Sequence, residues 1–237
     1  MTILATGETR SLLAYVLIGL SILLSSCDGQ SSSGSEDTNT VLPGNTASGQ
    51  SNDSLWQLID SLPYEPLSDA ELAALDFMRE EEKLARDVYL ELHNLWGNQI
   101  FSNIADSEQV HTDAVLHLIQ KYDLIDPAEN NLRGEFSDPN LQGLYDLLVA
   151  QGAASLLDAL IVGATIEDLD IFDLHRQLAV VDNQDIVAVF ENLQMGSRNH
   201  LRAFFRNLDN MNIVYTPIYI SQQEYDDIVN SPMERGG

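Results

Sequence analysis

Cysteine is nearly absent: Cys27 is the only one in 237 residues, so no internal disulfide and no Cys-x-x-Cys site can form. Basic residues are scarce too, with 11 Lys and Arg against 37 Asp and Glu and a formal net charge of -26. No basic patch can form on such a chain, and its surface repels phosphate backbones and anionic lipid, so nucleic acid is excluded as a natural partner. Neither a Gly-rich phosphate loop nor a nucleophile elbow occurs. Acidity also suits a salt-adapted surface protein, but charge speaks to solubility and not to chemistry.

The longest apolar run, SLLAYVLIGLSILL, follows Arg10 and ends in LSSC at Cys27. It is too short to span a bilayer comfortably and ends in small residues, as a secretory signal does. LSSC resembles the bacterial lipobox, which implies a signal peptide over 1–26 and a lipid on Cys27. Asp28 would favour inner-membrane retention under the sorting rule of some Gram-negative bacteria. The expectation is a cell-envelope lipoprotein on an extracytoplasmic or periplasmic face, with the membrane as partner. Residues 27–55 are mostly Ser, Gly, Asn and Asp and read as a flexible tether, so folding is expected to begin near Leu55.

Four amphipathic helices follow. Ser68 to Glu71 is a capping box with Pro66 upstream, which predicts a helix from about Asp69. Its stripe is Leu75, Met78, Glu82, Ala85, Tyr89, Leu92 and Trp96, apolar or aromatic except at Glu82. In the run Glu80, Glu81, Glu82, the first is predicted on the solvent side, the second on the flank and the third inward. The second stripe is Phe101, Ile104, Glu108, His111, Val115, Leu118 and Tyr122, with a Glu-x-x-His pair on one face. A polar crossover and a short helix from SDPN to about Gly152 lead to a third long helix, about Ser155 to Val181. Its inner face carries Ala164, Glu167, Ile171 and Leu174, with Asp170 beside it. The fourth helix, capped by VDNQD, aligns Ile186, Phe190, Leu193, Ser197, His200 and Phe204. The tail over 211–237 alternates enough to read as a strand-like or irregular strap.

The predicted fold is therefore all-α, a four-helix bundle over 56–210 with one long crossover containing a short helix. Each long helix has its polar interruption near mid-length, which brings three carboxylates and two imidazoles to one depth in an apolar core. Buried carboxylates need compensation, and metal cations supply it. Oxygen and imidazole donors without thiolate suit iron or manganese, with zinc also compatible, as a mononuclear or dinuclear centre. Each residue also has a structural alternative. Glu108 and His111 can form a buried hydrogen bond, Glu82 can pair with Arg86, Glu167 can belong to a solvated acidic face, and His200 can be a core histidine bonded to a carbonyl. Tyr89 reads first as a packed aromatic with its hydroxyl satisfied, with electron relay or a bond to a metal-bound oxygen as the alternative. Arg198 is a candidate for a charge beside a ligand carboxylate. His93, His117 and His175 fall off the stripes and read as surface residues.

FSNIADSEQVHTDAV resembles the second-helix motif of rubrerythrin-type ferritin-like proteins, and the Glu82 to Tyr89 step is similar to their first helix. Together MREEEKLARDVY, IFSNIADSEQVH, EDLDIFDL and GSRNHLRAF resemble the bacterial domain-of-unknown-function family 2202 over roughly residues 68 to 225. The resemblance implies a ferritin-like fold with Glu82, Glu108, His111, Glu167 and His200 as metal ligands. Ser197 stands where a full ferritin motif has Glu, and the rubrerythrin pattern implies Asp170 as its replacement. Rubrerythrins that reduce peroxide draw electrons through a cysteine-held iron; without one, this chain would depend on an external electron donor. Metal-dependent oxidase or peroxide-consuming chemistry and a non-enzymatic metal-binding or structural envelope module both fit, and homodimerisation stays open.

Overall fold

A computed structural model of the chain describes residues 48–235. The expected signal peptide, the lipidation site Cys27 and most of the tether lie outside the described residues. Seven helices and no strand occur among those described: α1 Ser48–Ser61, α2 Asp69–Trp96, α3 Gln99–Lys121, α4 Pro139–Gly152, α5 Leu156–Leu178, α6 Gln184–Asn210 and α7 Gln222–Val229. The chain is helical from Ser48, before the expected start near Leu55.

Local chemistry sets the ends of α2. Ser68 Oγ accepts from Glu71 N at 3.2 Å while Glu71 Oε2 accepts from Ser68 N at 2.9 Å, a reciprocal capping box. Gly97 closes the helix at φ 64°, its N–H bonding His93 O. Asn98 caps α3 at once, so α2 and α3 form an antiparallel hairpin. Glu71 reaches further, taking the N–H of Asn183 at 2.9 Å and of Asp182, and so ties the start of α6 to that of α2. The pairs α2–α3 and α5–α6 close the four-helix bundle through α2–α5 and α3–α6 contacts.

Two apolar clusters fill the bundle. One holds Leu84, Tyr89, Phe101, Ile171, Leu201 and Phe204; the other holds Leu75, Met78, Val115, Leu118, Leu174, Phe190 and Leu193. On α2, α3 and α6 the polar residues fall between the two clusters, and on α5 Glu167 and Asp170 lie at the end of the first, so a charged layer crosses the core. Burial of apolar area on both sides, at roughly 25 cal/mol per Å², holds that layer together.

The crossover is fastened by the charged run of α2. Arg79 forks onto Asp126 at 2.9–3.0 Å and bonds Thr112 Oγ1. Lys83 donates to Leu132 O, Glu135 O and Asp87, which in turn accepts from Gly134 N. Glu80 corrects an expectation: it is 4% exposed, not solvent-facing, because it accepts from the backbone N–H groups of Ser137 and Asp138 at the start of α4. The tail differs as well. Asp168 on α5 accepts from the N–H groups of Ile218, Tyr219 and Ile220, holding an irregular segment. Beyond it, Ser221 caps α7, whose buried face is Tyr225 and Ile228; the apolar spacing there is helical and not strand-like.

Candidate metal centre

The charged layer is built by helix periodicity. Glu82 on α2, Glu108 and His111 on α3, Glu167 and Asp170 on α5 and His200 on α6 are all buried and face one another. His111 Nδ1 lies 2.7 Å from Glu108 Oε2 and 3.2 Å from Glu82 Oε2. His200 Nδ1 lies 2.8 Å from Glu108 Oε1 and 3.4 Å from Glu167 Oε2. The imidazoles stack with centroids 5.6 Å apart. Two donor groups result, Glu82–Glu108–His111 and Glu108–Glu167–His200, each with its ligand atoms within 4.8 Å of one another. Glu108 belongs to both and turns one oxygen toward each imidazole.

Glu82 Oε1 and Asp170 Oδ1 have no hydrogen-bond partner, while Glu108 Oε2 and His200 Nδ1 are held only by the ion-pair contacts within the layer. Orphaned buried acceptors are costly and rare in native proteins. Both orphans are carboxylate oxygens, so they fit a hard or borderline divalent cation better than a neutral ligand.

Without a cation, protons balance the layer. Burial pulls the His200 imidazole down, but the Glu108 and Glu167 carboxylates outweigh it and raise it to about 10. His111 is likewise raised well above its ordinary value, Glu108 and Glu82 overcoming burial. Burial pushes Glu108 up, yet the two imidazoles hold it well below the usual carboxylate range. Burial dominates at Glu82, which rises to about 7, and it pushes Asp170 well up with help from the neighbouring carboxylates.

The five stripe residues thus meet at one place, and Asp170 lies buried near them outside both donor groups. The alternative partner for Glu82 does not form: Arg86 bonds Asp87 and Gln109 instead. Arg198 is not beside the site; it pairs with Glu234 from the tail. Tyr89 does more than pack, since its hydroxyl bonds Glu167 Oε1 and Gly163 O. Ser197 bonds Asp170, linking the residue that lacks a carboxylate to its expected replacement. Periodicity gave no hint of Glu81 and Asp173, also buried, each with an oxygen left unpaired. Nor did it single out Ser107, whose Oγ lies 2.9 Å from His200 Nε2.

The chain is 56% identical over 182 residues to an uncharacterised protein of the archaeon Methanocaldococcus jannaschii, covering 77% of this chain and 98% of that protein. A crystal structure of a hypothetical protein from Methanococcus jannaschii superposes with a TM-score of 0.72 at 56% identity, covering 73% of this chain and 99% of that one. The relative is archaeal, so the family is not confined to the bacteria that the motifs suggested. Residues 71–232 match the family model described as an uncharacterised protein domain, DUF2202, and the chain belongs to that family.

Proposed function

We propose that this is a membrane-tethered, ferritin-like metalloprotein whose bundle core binds two iron or manganese ions, with zinc as a weaker fit to the donor set. The observation that carries the reading is the pair of buried Glu and His groups sharing Glu108. Charge supports two ions: Glu82, Glu108, Glu167 and Asp170 together match two divalent cations beside neutral imidazoles. In this reading Glu82, Glu108 and His111 would hold one ion and Glu108, Glu167 and His200 the other, and Asp170 would supply the carboxylate that Ser197 does not.

Bound iron or manganese would supply redox chemistry toward oxygen or peroxide. The chain's own residues orient the ligands. Tyr89 holds Glu167 through its hydroxyl, and Ser197 holds Asp170. The apolar clusters on both sides exclude water. Electrons would come from an external donor, because no cysteine pair exists to carry them. The lipid on Cys27 would tether the domain to the envelope membrane, inner membrane favoured.

Metal analysis of protein purified without chelator tests the assignment. Wild type carries iron or manganese, and the Glu108→Ala, His111→Ala double variant loses it; full metal content in that variant refutes the ligand set. A second reading, a non-enzymatic metal-binding or structural envelope module, draws on the missing electron-transfer cysteines. A loaded site that turns over neither oxygen nor peroxide with ferrous iron or a chemical reductant selects it.

A further inference from the structure

The two halves of the layer are built differently. His200 has a fixed partner behind it: Nε2 meets Ser107 Oγ at 2.9 Å, so the ring turns Nδ1 toward Glu108 and Glu167. Glu167 is held in turn by the Tyr89 hydroxyl. Among the described residues none hydrogen-bonds His111 Nε2, the ring's contacts being through Nδ1. That ring is placed by shape: a Cβ on Gly196 would lie 2.4 Å from its Cε1 and Nε2, far inside contact distance. Glu82, the carboxylate of this half, keeps Oε1 unpartnered. One half is braced by hydroxyl groups at both of its outer ligands, and the other depends on a gap.

We infer that the two half-sites load in order: the Glu108–Glu167–His200 half, preorganised by Ser107 as a positioning residue, fills first, and the Glu82–Glu108–His111 half, which exists only because residue 196 is glycine, fills second and exchanges its ion. This rests on the metal-centre reading above. A ligand whose orientation is already fixed loses less freedom on binding, and partners of metal-binding histidines are worth roughly 10–100-fold in affinity. The weaker half is then the one where an ion can leave and return.

Manganese(II) titration of the full-length apoprotein, with free ion followed by electron paramagnetic resonance, tests the order. Wild type should bind in two steps of unequal affinity. Ser107→Ala should weaken the tight step by roughly 10–100-fold, and Ser107→Thr, which keeps the hydroxyl, should restore it. Gly196→Ala should remove the weak step and leave the tight one; Glu82→Gln, which adds no bulk, should do the same and covers the case in which Gly196→Ala fails to fold. If wild type takes up a single ion, that ion must respond to Ser107→Ala and not to Glu82→Gln. Two equal steps, or a tight step indifferent to Ser107→Ala, overturn this inference while leaving the metal centre standing. No manganese bound by wild type overturns both.

Discussion

Replacing Glu108 by Gln keeps the shape of the layer and removes the one negative charge that both imidazoles face. In metal-free protein those imidazoles lie 2.7 and 2.8 Å from its two oxygens, and the carboxylate is 2% exposed. Removing one partner of a buried ion pair costs about 3–5 kcal/mol, and a chain of this size melts roughly 2–4 °C lower per kcal/mol, so the expected loss is roughly 6–20 °C. The contrast in magnitude with Glu82→Gln is the sharper part. Burial already raises Glu82 to about 7, so a neutral amide should change stability by less than about 1 kcal/mol. Thermal unfolding of both variants in excess chelator near neutral pH, followed by circular dichroism, measures the difference. The gap should narrow as pH rises through about 10, where His200 gives up its proton. Equal melting temperatures for the two variants would refute the charge assignment within the layer.

Three further outcomes follow from the same geometry. Metal affinity should rise with pH across the neutral range, by up to about tenfold per unit for each proton released, because His200, raised to about 10, must lose a proton to bind; a flat profile in a pH series of manganese titrations contradicts this. Glu80→Ala strands the N–H groups of Ser137 and Asp138 and should cost about 1–3 kcal/mol in a melting experiment, whereas a solvent-facing Glu would cost almost nothing. Hydrogen bonds from Arg198 pull Glu234 down to about 2, against partial burial and with help from Arg202. The tail contact is therefore fully present above the unfolded value near 4.5 and lost as pH falls toward 2; tail amide exchange should quicken over that window in wild type, and Glu234→Gln should abolish the dependence.

Much of the site was legible because helix periodicity reports direction. One polar residue on an otherwise apolar stripe points inward, and four stripes interrupted at mid-length meet at one depth. What periodicity does not report is a partner far along the chain. The repeat places Glu80 on the solvent side, yet it is buried, as are Lys83 and Asp87, because the crossover supplies backbone groups that no helix repeat encodes. Asp168 is hidden in the same way among the acidic residues of α5, its partners lying in the tail. Arg198 stands two residues before His200 on α6, where side chains point apart, and it pairs with Glu234 instead of a ligand carboxylate. The helix α7 was missed because its two buried residues are too few to declare a period.

Anomalous diffraction from crystals of metal-loaded protein, recorded at the iron and manganese edges, tests the centre most directly. Two peaks are expected, one on each side of the Glu108 carboxylate, with His111 beside one and His200 beside the other. Peaks elsewhere in the molecule, or a loaded crystal with none among Glu82, Glu108, His111, Glu167 and His200, would contradict it.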